Sequence, residues 1–229
     1  MRKPNFMIYF SLFLILLLIS GINEIFSQNK SNIAKEINGK TTFNQIDPLE
    51  IILDSNLDFE DAVIGLNIPH TILENLELVT VYYYGFDDGL HQGQLVGHKD
   101  VAKDIKEIFK FIKESGFPLN KVVPISEYNW SDEESMKDNN TTAFNYRFIS
   151  GTRVISKHDN GLAIDINPLL NPYIKNGVSI PTSCTYDTTK AGTISSGSQL
   201  VNEFKKRDWT WGGDWKSLKD YQHFEKSLK

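Results

Sequence analysis

The sequence has little cysteine and no excess of positive charge. Cys184 is the only cysteine among 229 residues, so no disulfide bond can form within the chain. The formal net charge is −5 at pH 7, and no stripe of Lys and Arg alternates with aromatic residues. This disfavours binding to nucleic acid or to an anionic membrane surface, because both need a positive surface. Because no internal disulfide can form, the stability of the fold must come from packing or from a bound metal.

The N-terminus has the pattern of an export signal. Two basic residues precede an apolar run over residues 6–22, whose length suits a long signal-peptide core or a short membrane-spanning helix. We therefore expect residues 1–27 to be a signal peptide or an uncleaved N-terminal anchor. The best cleavage site lies between Ser27 and Gln28, since Ser27 is small. The protein is expected to be periplasmic, extracellular or associated with the cell wall.

The rest of the chain divides into a polar stretch and a patterned region. Residues 28–75 are expected to be a linker and N-terminal extension, because their first half is rich in Asn, Lys, Ser and Thr and lacks periodicity. Residues 76–229 are expected to form a single domain, which is long enough to bury a core.

Hydrophobic periodicity predicts that this domain is α+β. Residues 76–84 and 94–98 have the composition of two antiparallel strands. From Asp100 to Gly116 the apolar residues recur at helical spacing, and Asp100 is expected to cap this helix. Further predicted elements are a strand at 121–126, a polar loop at 129–140 and an amphipathic helix at 197–207.

The segment 156–167 is the first candidate for chemistry. Its apolar residues alternate with period two, so Asp165 faces the same side as the small residues Gly161 and Ala163. This leaves space beside the carboxylate, and His158 can fold back over the small residues from the Gly161 turn. Imidazole and carboxylate groups are ordinary zinc ligands. Taken alone, however, the segment favours a loop histidine and a strand-end or ion-paired carboxylate over a metal site.

A second acid and histidine near the C-terminus shift this balance towards a metal site. Asp220 and His223 follow the tryptophan-rich segment 209–215. Catalytic zinc is commonly held by three protein ligands, with the fourth position open for water. A nearby carboxylate that is not a ligand can accept a proton from that water.

Together these segments resemble the zinc D-alanyl-D-alanine carboxypeptidases, the D-alanyl-D-alanine dipeptidases and the L-alanyl-D-glutamate endopeptidases. The family pattern S-x-H-x-x-G-x-A-x-D is matched in full by residues 156–165, and W-G-G-D-W and D-x-x-H-F-E are found at 211–215 and 220–225. The resemblance extends over residues 76–229. It implies a hedgehog-like α+β fold, in which a small antiparallel sheet flanked by helices carries a zinc site.

The resemblance also implies roles for individual residues. It makes His158, Asp165 and His223 the ligands of Zn²⁺ and Asp220 the general base. It assigns Arg147 to the oxyanion that forms on the scissile carbonyl, a role that needs a fixed positive donor.

The candidate substrate-binding residues are mostly aromatic. They are Ser156, Trp211, Trp215 and Tyr221. Aromatic clusters near a chain end are as often part of a core, so Trp211 and Trp215 fit either role. The other histidines, His70, His91 and His98, have no partner at ligand spacing and are expected to be surface or loop residues.

The implied function is that of a monomeric zinc metallopeptidase that hydrolyses stem-peptide bonds of bacterial peptidoglycan. The sequence leaves open whether it removes a terminal D-alanine or cuts within the stem. The alternative is a non-catalytic, zinc-containing wall-binding module of the same fold. Asp220 and Arg147 argue against this alternative, because a structural zinc needs neither a base nor an oxyanion partner. A third interpretation is a membrane-tethered structural protein. It is disfavoured, because both complete motifs would then have arisen by coincidence.

Overall fold

The computed structural model describes residues 50–65, 67–146, 156–182 and 184–228. These residues form an α+β arrangement of small sheets and mostly short helices, as predicted. The export signal predicted for residues 1–27 lies outside them. Within the described ranges, no helix has the length and apolar character needed to cross a membrane.

The elements are numbered in chain order. Helices α1 to α5 are Phe59–Ala62, His70–Leu73, Lys99–Ser115, Asp132–Lys137 and Gln199–Lys205. Short 3₁₀ helices cover Ile125–Tyr128, Lys157–Asn160 and Gly212–Asp214. Strands β1 to β9 are Ile52–Leu53, Leu76–Tyr84, Leu90–His98, Ala163–Asp165, Tyr173–Lys175, Val178–Ile180, Trp209–Trp211, Lys219–Asp220 and His223–Lys226. They pair in the orders β1-β3-β2, β4-β9-β7 and β6-β5-β8.

The first sheet contains the two predicted antiparallel strands. β2 and β3 pair along their whole lengths, with Leu76 opposite His98. β3 begins at Leu90 rather than Gln94, because the turn closes early, where the Gly85 N–H donates to the Gly89 carbonyl at 3.0 Å. β1 joins β3 in parallel and comes from the segment predicted as an extension. The domain boundary at residue 76 stays a prediction.

Helix α3 confirms the strongest periodic pattern in the sequence, but its predicted cap is wrong. The ring Nδ1 of His98, not Asp100, accepts the hydrogen bond that starts the helix, at 3.1 Å from the Asp100 N–H. His98 is the last residue of β3, so the strand runs directly into the helix and places an acceptor at its N-terminus. Gly116 ends the helix with φ 67°, as expected for a left-handed C-terminal residue.

The region after α3 differs from its prediction. The strand expected at 121–126 is reduced to a bridge between Lys121 and Asn140, followed by a 3₁₀ helix. The expected polar loop contains α4, and Asn140 is fully buried. Its side-chain amide accepts from the Val123 N–H at 2.9 Å and donates to the Val123 carbonyl at 3.0 Å. A side chain thus replaces a strand partner, which is why a polar segment can enter the core.

The main core lies between α3, α5 and the sheets. α5 confirms the predicted C-terminal helix, and its inward residues Leu200, Val201 and Phe204 are buried as expected. Phe204 stacks on Phe224 of β9 with ring centroids 3.8 Å apart. The helix is therefore packed directly behind the β4-β9-β7 sheet.

The prediction that His91 is a surface or loop histidine is wrong. Only 8 % of His91 is exposed, and its ring lies between two carboxylates. Nδ1 is 3.1 Å from Asp54 and Nε2 is 3.0 Å from Asp87. Tyr83 also hydrogen-bonds Asp54, which ties β1 to the hairpin.

We predict that Ile105→Ala will destabilise the domain by about 2–5 kcal/mol, because it removes a fully buried side chain from the core. Ile105 packs where β3 has Gly97, so α3 and the sheet are in close contact there. Chemical denaturation measures the change in the free energy of unfolding. The control is Lys103→Ala on the exposed face of α3, which should change stability by less than about 0.5 kcal/mol. Equal stability of the two variants would contradict the packing described.

Candidate metal centre

A short capped 3₁₀ helix positions His158. The Ser156 hydroxyl accepts from the His158 N–H at 3.2 Å, and the Asp159 carboxylate accepts from the Ser156 N–H at 2.9 Å. Gly161 ends the turn with φ 64°, and a Cβ there would lie 2.6 Å from the His98 nitrogen. Glycine is therefore needed both for the backbone conformation and for the close approach of β3.

The pairing of β4 with β9 brings the other two candidate ligands together. Asp165 lies directly opposite His223 in this antiparallel pair. Directly opposite residues on one face have Cβ atoms about 5 Å apart, so their side chains can contact each other. Phe224 points to the other face and is fully buried in the core.

The three side chains converge on a single point. His158 Nε2 is 3.1 Å from His223 Nδ1 and 3.2 Å from Asp165 Oδ2. His223 Nδ1 is 3.0 Å from Asp165 Oδ1. All three residues are buried, and among the described residues they form the only group of three or more His, Cys, Asp or Glu side chains close enough to hold a metal ion. The sequence prediction that these residues meet is consistent with this geometry.

The donor set fits a tetrahedral metal site. Two ligands about 2.0–2.1 Å from a tetrahedral zinc ion lie about 3.3 Å from each other. The two histidine nitrogens are 3.1 Å apart, and each lies 3.0 to 3.2 Å from one of the two Asp165 carboxylate oxygens, which is close to that value. Two imidazoles and a carboxylate also match the ligand types of zinc better than those of calcium or magnesium.

The cluster is electrostatically coupled. Burial alone would raise the pKa of Asp165, but the charge of His158 and hydrogen bonds from both histidines hold that pKa well below its usual range. Burial lowers the pKa of His223, yet hydrogen bonds to Asp165 and Glu225 outweigh it and raise the pKa to about 10. Binding of a metal must therefore displace a proton from His223.

This segment of the chain matches a known family. Residues 150–226 match the family model of D-alanyl-D-alanine carboxypeptidases. The resemblance to this peptidase family is confirmed. No solved structure matches the chain. The matched segment contains the whole cluster and Asp220, whereas the oxyanion candidate, Arg147, lies just before the match and outside the described residues.

Asp220 lies beside this cluster on β8. It interacts electrostatically with both histidines and with Asp165. Burial raises the pKa of Asp220 to about 6, against the opposing effect of His223. Its Oδ1 is buried and has no hydrogen-bond partner among the described residues. A buried carboxylate oxygen without a hydrogen-bond donor is unusual, because it destabilises the fold. A water molecule or a substrate group at the site would supply the missing hydrogen bond.

The glycines of the peptidase family's W-G-G-D-W motif allow this placement. A Cβ on Gly212 would lie 2.5 Å from the Asp220 carbonyl oxygen, so only glycine lets this turn pack against β8. A Cβ on Gly213 would lie 2.3 Å from the Trp211 ring. The motif is therefore a packing requirement that brings Asp220 to the cluster.

The candidate substrate-binding residues occupy different surroundings. Trp215 lies next to the cluster, with its ring centroid 5.4 Å from that of His223. Trp211 is a core residue whose Nε1 donates to the Tyr221 carbonyl at 2.9 Å. Trp211 and Tyr221 also line a cavity of about 520 Å³. Ser156 is buried and caps the turn that carries His158. Substrate contact by these four residues stays a prediction.

Glu225, the last residue of the D-x-x-H-F-E motif, also contacts the cluster, although sequence reasoning kept it only as a substitute for Asp220 as the base. Its Oε2 lies 3.1 Å from His223 Nε2, the ring nitrogen that points away from Asp165. The signal was present in the sequence, because residues two apart on a strand share a face.

We predict that the purified protein binds about one zinc ion and that His158→Ala and His223→Ala each lose stoichiometric binding, because three-ligand sites rarely retain zinc after losing a ligand. Elemental analysis after gel filtration measures the zinc content. Zinc should also raise the melting temperature of the wild type and of the control but not of the two cluster variants, since a ligand of the native state stabilises it by mass action. The control is His70→Ala, whose side chain is 86 % exposed. Full zinc content in either cluster variant would reject that residue as a ligand.

Proposed function

We propose that this protein is an exported zinc metallopeptidase of hedgehog-like fold that hydrolyses stem-peptide bonds of bacterial peptidoglycan. One observation carries the proposal: a buried cluster of two histidines and an aspartate adjoins a carboxylate with an unpaired oxygen, within a segment that matches D-alanyl-D-alanine carboxypeptidases. A purely structural metal site would not need the extra carboxylate.

His158, Asp165 and His223 would hold Zn²⁺ and leave its fourth position open. Bound there, Zn²⁺ would supply a Lewis acid for the scissile carbonyl and would lower the pKa of a coordinated water. The outward ring nitrogens keep the ligands in place. His158 Nδ1 hydrogen-bonds the Ala143 carbonyl, and His223 Nε2 hydrogen-bonds Glu225.

Asp220 would act as the general base. With a pKa of about 6, the Asp220 carboxylate is ionised at pH 7 and can accept a proton. This pKa is also close enough to 7 for the protonated carboxyl to return the proton. It would accept a proton from the attacking water and deliver it to the leaving amine. Arg147 would stabilise the negative charge that develops on the carbonyl oxygen, since its guanidinium is always charged and its donors lie in a fixed plane.

The family match supports the proposed substrate class. The description of the matched family favours removal of a terminal D-alanine, whereas the W-G-G-D-W and D-x-x-H-F-E motifs resemble those of the endopeptidases that cut between L-alanine and D-glutamate. Both bonds belong to the same stem peptide, so the proposal names the stem peptide as the substrate. Peptidoglycan lies outside the plasma membrane, which agrees with the export signal predicted for residues 1–27.

We predict that Asp220→Asn will retain zinc and the fold but lose activity on a stem peptide by about a hundred- to ten-thousand-fold, because the amide cannot accept the proton. The loss should appear mainly in kcat rather than in KM. In the wild type, kcat/KM should fall as the pH drops through the pKa of Asp220, at or below about 6, since a bound cation would lower this pKa further.

The matched control is Asp214→Asn in the preceding turn, whose side chain is 46 % exposed and pairs with Lys205. This variant should keep near-normal turnover. Near-normal turnover by Asp220→Asn would refute the assigned base. A wild-type protein that binds zinc but cuts no wall peptide would favour the non-catalytic binding module instead.

A further inference from the structure

The alternation of β9 puts Glu225 on the same face as His223. Phe224, between them, points into the core. β9 is the central strand of its sheet, and Glu225 lies opposite Ala163 of β4 and opposite Thr210 of β7. Pairing on both sides fixes the backbone of Glu225, so its carboxylate is presented from a rigid position.

The two ring nitrogens of His223 have different partners. Nδ1 lies within the cluster, 3.0 Å from Asp165 and 3.1 Å from His158 Nε2. Nε2 points away from it and lies 3.1 Å from Glu225 Oε2. The Glu225 side chain is 27 % exposed, and the carboxylate does not belong to the group that can hold a metal. It lies behind the histidine, so it is poorly placed to substitute for Asp220 as the base.

This geometry determines the tautomer of a metal-bound His223. A neutral imidazole carries one N–H, and an ionised carboxylate can only accept a hydrogen bond. The nitrogen facing Glu225 must therefore carry the hydrogen, which leaves the Nδ1 lone pair directed into the cluster. In contrast, His158 Nδ1 faces a neutral carbonyl, that of Ala143, and its Nε2 points inward. A metal held at the cluster would therefore be bound by opposite ring nitrogens of the two histidines.

We propose that Glu225 is a positioning residue that fixes His223 in the Nε2–H tautomer and strengthens Nδ1 as a metal donor. A carboxylate partner on the outer nitrogen raises the basicity of a histidine ligand and restricts rotation of its ring. The inference rests on the proposed function only in that a metal occupies the cluster. It does not depend on which bond is cut or on whether any bond is cut.

The test compares Glu225→Ala with Glu225→Gln, which keeps an oxygen acceptor at the same position. Zinc affinity is measured by competition with a chromophoric chelator, and the hydrogen bond from His223 Nε2–H is followed by its proton chemical shift in the zinc-loaded protein. Glu225→Ala should weaken zinc binding by about 10- to 100-fold and shift the Nε2–H resonance upfield, because the carboxylate acceptor is lost. Glu225→Gln should keep a hydrogen-bonded Nε2–H and recover part of the affinity. Glu114→Ala, an exposed surface variant on α3, serves as the control.

A general loss of structure would give a different result. It would lower the melting temperature of the metal-free protein in both Glu225 variants, and the glutamine would not restore affinity. The proposal is overturned if Glu225→Ala binds zinc within a factor of about two of the wild type, if the His223 Nε2–H resonance is unchanged without Glu225, or if the wild type binds no zinc at the cluster. If the wild type binds zinc but leaves stem peptides intact, the proposed function fails while the affinities still decide the role of Glu225.

Discussion

The register between β4 and β9 is the constraint on which the candidate site depends. It places Asp165 opposite His223 and Phe224 in the core. A shift of one residue in the pairing of β9 with β4 would place His223 in the apolar interior and expose Phe224. This is energetically costly, so the observed register, which keeps Asp165 opposite His223, is favoured. Stacking of Phe224 on Phe204 strengthens this choice from behind the sheet. The strand register that packs the core therefore also brings the site residues together.

The composition of the cluster also links folding to metal binding. Its three polar side chains are buried, and burying charge is costly unless the charges are paired or bind a cation. Asp165 contacts both histidines, so its charge is paired within the cluster. A cation would replace the proton on His223, so binding and protonation compete. A chain that can form no internal disulfide can gain stability from such a metal.

Local patterns in the sequence predicted the features that depend on neighbouring residues. The alternation around Asp165, the turn at Gly161 and the long amphipathic helix α3 are of this kind. Contacts between distant segments were not predictable in the same way. The burial of His91 requires Asp54 from a separate strand, and Asn140 enters the core only because Val123 offers its backbone. The predicted capping role of Asp100 was wrong, because His98 at the end of the preceding strand supplies a better placed acceptor.

Purified muropeptides test whether this centre hydrolyses a wall stem peptide, because the masses of the products identify the bond that is cut. The zinc-loaded protein should convert an intact stem peptide into products that differ by one D-alanine or by cleavage between L-alanine and D-glutamate. Chelation should abolish the products and added zinc should restore them, since the reaction requires the occupied site. If the muropeptide masses stay unchanged with fully zinc-loaded protein, across stem peptides of different lengths, the proposed hydrolysis of stem peptides is refuted.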